Sequence, residues 1–326
     1  MLNRRQFVSR AAAGLALPLA APLAHAAAGD RAPGAPPHAR GQEAPLPPRA
    51  AAFEEIRRGV GVFTERGGAI GYLAGGDVLV VVDAQYPTSA QTCYDGLDER
   101  TPGRASVIDL LVNTHHHGDH TAGNTALAPL AARHVAHEAV PGLQRAAAVR
   151  GGSLEAQAYP RETYSGLWRM EVGDETVALH DFGPGHTAGD SVVHFEQADV
   201  VHMGDLVFNR MPCFIDLAAG ATTEGWMGVL ERVHDTFTDE TAFIFGHGHP
   251  DHGVTGTRAD LLVMRDFLGR LREFVAAGMA DGLGADALAE RAQTAEAFDS
   301  HRLEAWPAGI SNAVRAVAEE MQRGQR

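Results

Sequence analysis

Short β-prone runs separated by glycines, alanine-rich helical stretches between them, and the return of this alternation once in each half of the chain point to an α+β fold. Of the 326 residues, 45% are hydrophobic and 6% aromatic, a globular composition with room for one large domain or two small ones. Ordered structure is expected from about Phe53. Residues 60–63, 69–73 and 78–83 are apolar and β-branched runs broken by glycine and turn residues, as in a strand meander. Residues 88–100 read as a helix of weak periodicity. The run 107–112 is so rich in Val, Ile and Leu that it reads as a buried strand.

Residues 125–132 and 136–150 are expected as helices with alanine-rich faces, interrupted at Pro129 and Pro141. Segment 151–171 has no clear period, and its Tyr159, Tyr164 and Trp168 fit a cleft wall or a core equally. Strands resume at 176–182, 191–195, 200–203 and 241–245, with a helix at 225–233. Leu261, Leu262, Phe267, Leu268, Leu271, Phe274 and Val275 form a helical stripe within 259–277, and residues 286–298 and 311–322 read as terminal helices.

The first eight residues are basic, with Arg4 and Arg5 paired, and lead into an Ala/Leu-rich stretch over 11–23 and the small-residue site Ala24-His25-Ala26. Residues 1–26 thus resemble a twin-arginine export signal; an ordinary secretory signal is the competing reading. The apolar stretch is too short, and too broken by Pro18 and Pro22, to span a membrane. Either route leads to the bacterial periplasm and leaves no stable membrane anchor after cleavage. Residues 27–49 carry six prolines and read as a disordered spacer, which leaves 50–326 as the folded domain with its C-terminal helices.

Loss of residues 1–26 removes Arg4, Arg5 and Arg10 and no acid, so the formal charge moves from −14 to −17. A chain that acidic, without a Lys/Arg run, repels phosphate backbones, which disfavours a nuclease or other nucleic-acid partner. Cys93 and Cys213 would share an oxidising compartment, so a disulfide and two independent buried thiols are both open.

The chemistry collects where the buried strand ends, in Asn113-Thr114-His115-His116-His117-Gly118-Asp119-His120-Thr121. If the extended backbone continues into the loop, His115 and His117 face one side and His116 the other. Gly118 permits a turn that returns Asp119 and His120 to the same point. Imidazoles with a carboxylate suit zinc, and so many donors in six residues exceed the needs of one tetrahedral ion, which points to two neighbouring metals. A histidine-rich surface loop is the bland alternative. Three further β-prone runs end in glycine and a metal-type side chain: His186 after Gly183-Pro184-Gly185, Asp205 after Gly204, and His247 with His249 around Gly248. Four such loops at one edge of a sheet system would converge.

This set, His115-x-His117-x-Asp119-His120 followed by His186, Asp205 and His247, resembles the metallo-β-lactamase-fold hydrolases over roughly residues 53–274. The resemblance implies a four-layer αββα sandwich with His115, His117 and His186 on a first metal, Asp119, His120 and His247 on a second, and Asp205 bridging. It implies two zinc ions, with iron or manganese as other divalent candidates, and a hydroxide that cleaves a small ester, thioester, lactone or lactam. Asp119 would orient that hydroxide as well as ligate. The bridging Asp205 is more similar to the hydroxyacyl-thioester hydrolase (glyoxalase II-like) and lactonase branches, and to exported members linked with sulfur oxidation and quinoproteins, than to true β-lactamases. His249 stands where the family has proline and would serve the substrate if not the metal.

A mono-iron sulfur dioxygenase is the second reading, since it shares more of these ligands than a di-iron oxygen reductase, which expects Glu at His117 and a flavin domain. A non-catalytic metal scaffold is the third, poorly matched to a site with open metal positions. Asp190 is placed either as a partner of His186 or as a turn residue. Met211, Pro212, Phe214 and Trp226 fit a substrate wall or a core.

Overall fold

The computed structural model describes residues 50–101, 107–152 and 157–324. The expected export signal and spacer lie outside the described residues. β1 (Ala52–Arg57), β2 (Val60–Thr64), β3 (Ile70–Gly75) and β4 (Val78–Val82) form an antiparallel meander, followed by α1 (Pro87–Arg100). β5 (Ile108–Asn113) then pairs parallel to β4, and the short helices α2 (Gly118–Thr121) and α3 (Asn124–Leu127) follow it. β6 (Ala131–His137), α4 (Val140–Gly151) and β7 (Glu162–Tyr164) complete a seven-stranded sheet ordered β1-β2-β3-β4-β5-β6-β7 among the described residues.

The second half opens with β8 (Leu167–Val172), β9 (Glu175–His180), β10 (Val192–Phe195) and β11 (Val200–His202), then β12 (Phe208–Asn209) and α5 (Thr223–Thr236). β13 (Ala242–Ile244), β14 (His247–Gly248) and β15 (Thr255–Gly256) precede α6 (Arg258–Ala280), α7 (Ala285–Ala292) and α8 (Gly309–Gly324). The second sheet runs β15-β13-β11-β10-β9-β8, and β12 pairs with β14 as a small parallel ribbon.

Alternation along the strands decides the layering. Val80, Val82, Leu110 and Val112 of the first sheet meet Leu179, Val193, Phe195 and Ile244 of the second in one core between them. The residues between, such as Val81 and Leu111, face outward with Ile70 and Ile108 to Cys93 and Leu97 of α1. Val201 and Phe243 of the second sheet turn to Trp226 and Val229 of α5 and to the α6 stripe of Leu261, Phe267, Leu268 and Leu271. Helix, sheet, sheet and helix make the four-layer sandwich, each large buried side chain contributing about 1.5–3 kcal/mol.

Several expectations need correction. Residues 131–137, which take in the end of the helix expected at 125–132 and the start of the one expected at 136–150, form β6. Its backbone pairs β5 on one side and β7 on the other, and Val135 is fully buried, so ladder and burial outweigh alanine's small helical preference. Only Asn124–Leu127 of the preceding stretch is α-helical, running into a 3-10 turn at Ala128–Leu130, and the next helix waits until Val140, with Pro141 in its first turn. The expected helix 286–298 divides into α7 and a 3-10 turn at Glu296–His301.

Tyr164 lies in the inter-sheet core and Trp168 packs on it, so neither lines a cleft. Cys93 and Cys213 stay thiols in two separate clusters, and no disulfide joins them. Among the described residues no helix is long and apolar enough to cross a membrane.

Candidate metal centre

The histidine loop leaves β5 at Asn113, whose buried amide is locked by Asn124 and by His134 Nε2 at 2.7 Å. His117 precedes the single turn of α2, which closes as the His120 and Thr121 amides donate to the His117 carbonyl. That turn brings Asp119 and His120 back beside His115, as the glycine suggested.

All seven side chains singled out in the sequence come together. His117 Nδ1 lies 3.0 Å from His115 Nε2 and 2.9 Å from His186 Nε2. Asp205 Oδ2 faces these at 3.7 Å from His115 Nε2 and 3.6 Å from His186 Nε2. On its other side, Asp205 Oδ1 is 3.0 Å from His120 Nε2, and His247 Nε2 is 3.4 Å from Asp205 Oδ2 and 3.1 Å from Asp119 Oδ2. These seven fall into two groups of potential ligand atoms, one with His115, His117, His186 and Asp205, the other with Asp119, His120 and His247, and a third group, His116, His117 and Asp216, adjoins the first.

The outer nitrogens of three rings are already committed. His186 Nδ1 donates to the Phe214 carbonyl at 3.1 Å and His120 Nδ1 to Asp83 Oδ2 at 2.8 Å, because neither acceptor has a proton to give. Thr114 Oγ1 donates to Asp83 Oδ2 at 2.7 Å, so it accepts from His115 Nδ1 at 3.0 Å. The Nε2 atoms of His115 and His186 therefore carry lone pairs, both aimed at His117 Nδ1 about 3 Å away. Burial would lower His120, but the carboxylates of Asp205, Asp119 and Asp83 raise it well above the ordinary imidazole value and make it the positive charge of the metal-free cluster. His120 Nε2 and both Asp205 oxygens are buried without an aligned hydrogen-bond partner, although their neighbours are close. Donors that face a common point instead of one another fit two cations.

Glycine makes the approach possible. A Cβ on Gly68 would sit 2.0 Å from the His120 ring, and one on Gly246 would sit 2.0 Å from Asp205 Oδ1. Burial holds His115 well below the ordinary imidazole value and pushes His186 down to about 3, which keeps both neutral and ready to ligate. Burial opposes ionisation of Asp119 and Asp205, yet the positive charge of His120, with His247 beside it, prevails: Asp119 falls to about 2 and Asp205 lies well below the carboxylate range.

His249 stands apart from both groups, near Asp251 and His252. Asp190 accepts from the Thr187 and Gly185 amides and from Thr187 Oγ1, so it is the turn residue that shapes the His186 loop. Met211, Pro212 and Trp226 are buried in the core, Trp226 edge-on to His186 at 5.2 Å from beneath, and the half-buried Phe214 borders the centre edge-on to His117 at 5.4 Å. Sequence reasoning missed Asp83, with its backbone at φ 67, and Asp216, whose Oδ2 lies 3.1 Å from His117 Nε2 and 3.7 Å from His116 Nε2. Neither had a motif to mark it.

A family model for the metallo-beta-lactamase superfamily matches residues 63–249. No curated protein matches the sequence. Among solved structures, the stereoselective inverting sec-alkylsulfatase Pisa1 from Pseudomonas sp. is similar at TM-score 0.65 and 15% identity, over 82% of this chain and 50% of that one. This chain thus spans about half the length of the alkylsulfatase. A metallo-beta-lactamase from Pontibacter korlensis is similar at TM-score 0.56 and 17% identity, over 67% of this chain and 99% of that one. Metallo-beta-lactamase IND-7 follows at TM-score 0.53 and 18% identity, with the same coverage. At these identities the likeness is one of fold.

Proposed function

The chain belongs to the metallo-beta-lactamase superfamily, and on that footing we propose that it is a di-zinc hydrolase of a small ester, thioester, lactone or lactam. Membership supports a metal-dependent hydrolase; the metal, the substrate class and the roles below are our reading. His115, His117 and His186 would hold one ion, Asp119, His120 and His247 the other, and Asp205 would serve both. Two such ions supply an acidified water and a polarised substrate oxygen at neutral pH. Asp119, its side chain 13% exposed on the solvent side, would accept a proton from the attacking water and aim it. Phe214 would seat the apolar part of the substrate against the first group of histidines.

The observation that carries this reading is Asp205, whose two buried oxygens lie between two sets of imidazoles without an aligned donor. Zinc is favoured by the nitrogen-rich donor set, and the bridging carboxylate favours the thioesterase-like and lactonase branches. Export through the twin-arginine route to the periplasm belongs to the same proposal and rests on Arg4, Arg5 and the Ala24-His25-Ala26 site.

The test is metal content of the purified protein alongside a panel of thioesters, lactones, lactams and a secondary alkyl sulfate. Two equivalents of zinc with turnover of a carbonyl substrate is the expected result. One iron with oxygen consumption on a persulfide would replace the hydrolase with the dioxygenase reading. Negligible turnover by metal-replete protein across the panel would overturn the substrate class.

A further inference from the structure

We propose that Asp216 is a positioning residue that fixes the tautomer of His117, keeping the proton on Nε2 so that Nδ1 presents its lone pair to the first cation. The inference rests on the dinuclear reading above and assigns a role to a residue outside its ligand set. Asp216 opens a 3-10 turn, Leu217–Ala219, and its Oδ1 accepts from the Ala218 and Ala219 amides, each at 3.1 Å. Those two bonds fix the carboxylate plane. Oδ2 is then aimed at His117 Nε2, 3.1 Å away. A carboxylate is acceptor-only, so with Oδ1 taken by the two amides Oδ2 is left to receive the proton of His117 Nε2.

The opposite edge of the His117 ring explains why this matters. Nδ1 faces His115 Nε2 and His186 Nε2, both lone-pair atoms by the bonds described above. His117 is the one ring of that group that would ligate through Nδ1, so it needs the opposite tautomer to its two neighbours and a separate acceptor to select it. Residues 214–216 supply both instructions: the Phe214 carbonyl takes the proton of His186 Nδ1, and the Asp216 carboxylate takes that of His117 Nε2. His116 Nε2, at 3.7 Å from Oδ2, is beyond hydrogen-bond distance and leaves that oxygen to His117.

Two substitutions separate tautomer control from simple capping of the turn. In Asp216→Asn, the amide oxygen must stay on the Ala218 and Ala219 amides, since a flip would oppose donors to donors. The new NH₂ group then points at His117 Nε2, forces a lone pair there and moves the proton to Nδ1, where the cation would sit. Asp216→Ala removes the cap but leaves the tautomer free.

The experiment compares wild type, Asp216→Ala and Asp216→Asn by zinc affinity under chelator competition, by cobalt spectra of the first site, and by melting of the metal-free protein. First-site affinity is expected to fall about 10-fold in the alanine variant and about 100-fold in the asparagine variant. Melting of the metal-free protein should rank the other way, with asparagine near wild type and alanine lower by roughly 2–4 °C. Affinity that instead follows stability, with asparagine near wild type, would reduce Asp216 to a turn cap and overturn the inference alone. A third equivalent of zinc in wild type that both variants lose would make Asp216 a ligand and overturn it too. Wild type that binds fewer than two equivalents would overturn the dinuclear reading along with it.

Discussion

Asp83 holds His120 from behind: its Oδ2 lies 2.8 Å from His120 Nδ1 while its own backbone is left-handed at φ 67 and fully buried. The same carboxylate accepts from the Thr114 amide at 2.8 Å and from Thr114 Oγ1, so one side chain indexes both ends of the histidine loop. A left-handed non-glycine residue costs about 1–3 kcal/mol, tolerated where neighbours over-determine it.

Asp83→Ala should therefore weaken zinc binding at the second site about 10- to 100-fold, because His120 loses the acceptor that fixes its tautomer. It should also lower the stability of the metal-free protein by about 1–3 kcal/mol as Thr114 loses its partners. Chelator competition and urea unfolding measure the two effects, and a variant with wild-type values in both would contradict this role.

Asp119→Ala is expected to abolish hydrolysis while the fold survives. Asp119 occupies a one-turn helix at the rim and supports no core residue, so the change removes a ligand and a proton acceptor and little else. Circular dichroism should match wild type while turnover falls by about 100-fold or more. Unchanged turnover would remove Asp119 from the chemistry.

Gly246→Ala tests the crowding around Asp205. The added carbon would meet Asp205 Oδ1 at 2.0 Å and the Gly204 carbonyl carbon at 2.7 Å, and the Gly246 backbone is pinned by bonds to Gly204 and Ala69. Asp205 must yield. Loss of both metals and a destabilisation of about 1–3 kcal/mol are expected, read by metal analysis and unfolding.

Acid sensitivity has a source remote from the centre. Burial would raise Asp260, but the Thr257 amide at 2.9 Å and Arg210 at 2.8 Å outweigh it, and the carboxyl lies below its ordinary value. A lowered folded value gives stability that is fully present above the unfolded value of about 4 and is lost as pH falls through the folded one. Asp260→Asn should thus cost about 1–2 kcal/mol at neutral pH, with the difference from wild type closing as pH falls below about 4. Urea midpoints over that range decide it; a constant gap would assign the effect to something other than ionisation.

The ligand loops were legible because each announces itself twice, by an apolar run that must be a strand and by a glycine before a metal-type side chain. Their convergence follows from the packing of the two sheets, which brings the end of β5 in the first against the ends of β9, β11 and β13 in the second. Residues 131–137 were illegible because Ala131, Ala132 and Ala136 carry little β preference, and the strand is imposed by partners distant in sequence. β12, β14 and β15 have two residues each, too few to show a period. Asp83 and Asp216 escaped for a different reason: a side chain that orients another is defined by direction, and a strand end or a turn permits many directions.

The Ala69 amide donates to the Gly246 carbonyl at 2.8 Å, stitching the loop before β3 to the loop after β13 directly above the centre. The donors themselves are divided in the same way, four before residue 121 and three after 185, with the first four in the segment between β5 and the end of α2 and the last three in the second half, where His186 is on a loop, Asp205 in a 3-10 turn and His247 at the start of β14. Neither half of the polypeptide encloses a complete cation site. Ions held there would act as rivets through the seam, adding about 4 kcal/mol to the union of the halves at a thousandfold excess over their dissociation constant. Metal starvation would then loosen the whole sandwich along its midline, and resistance to heat would report how well the protein is supplied.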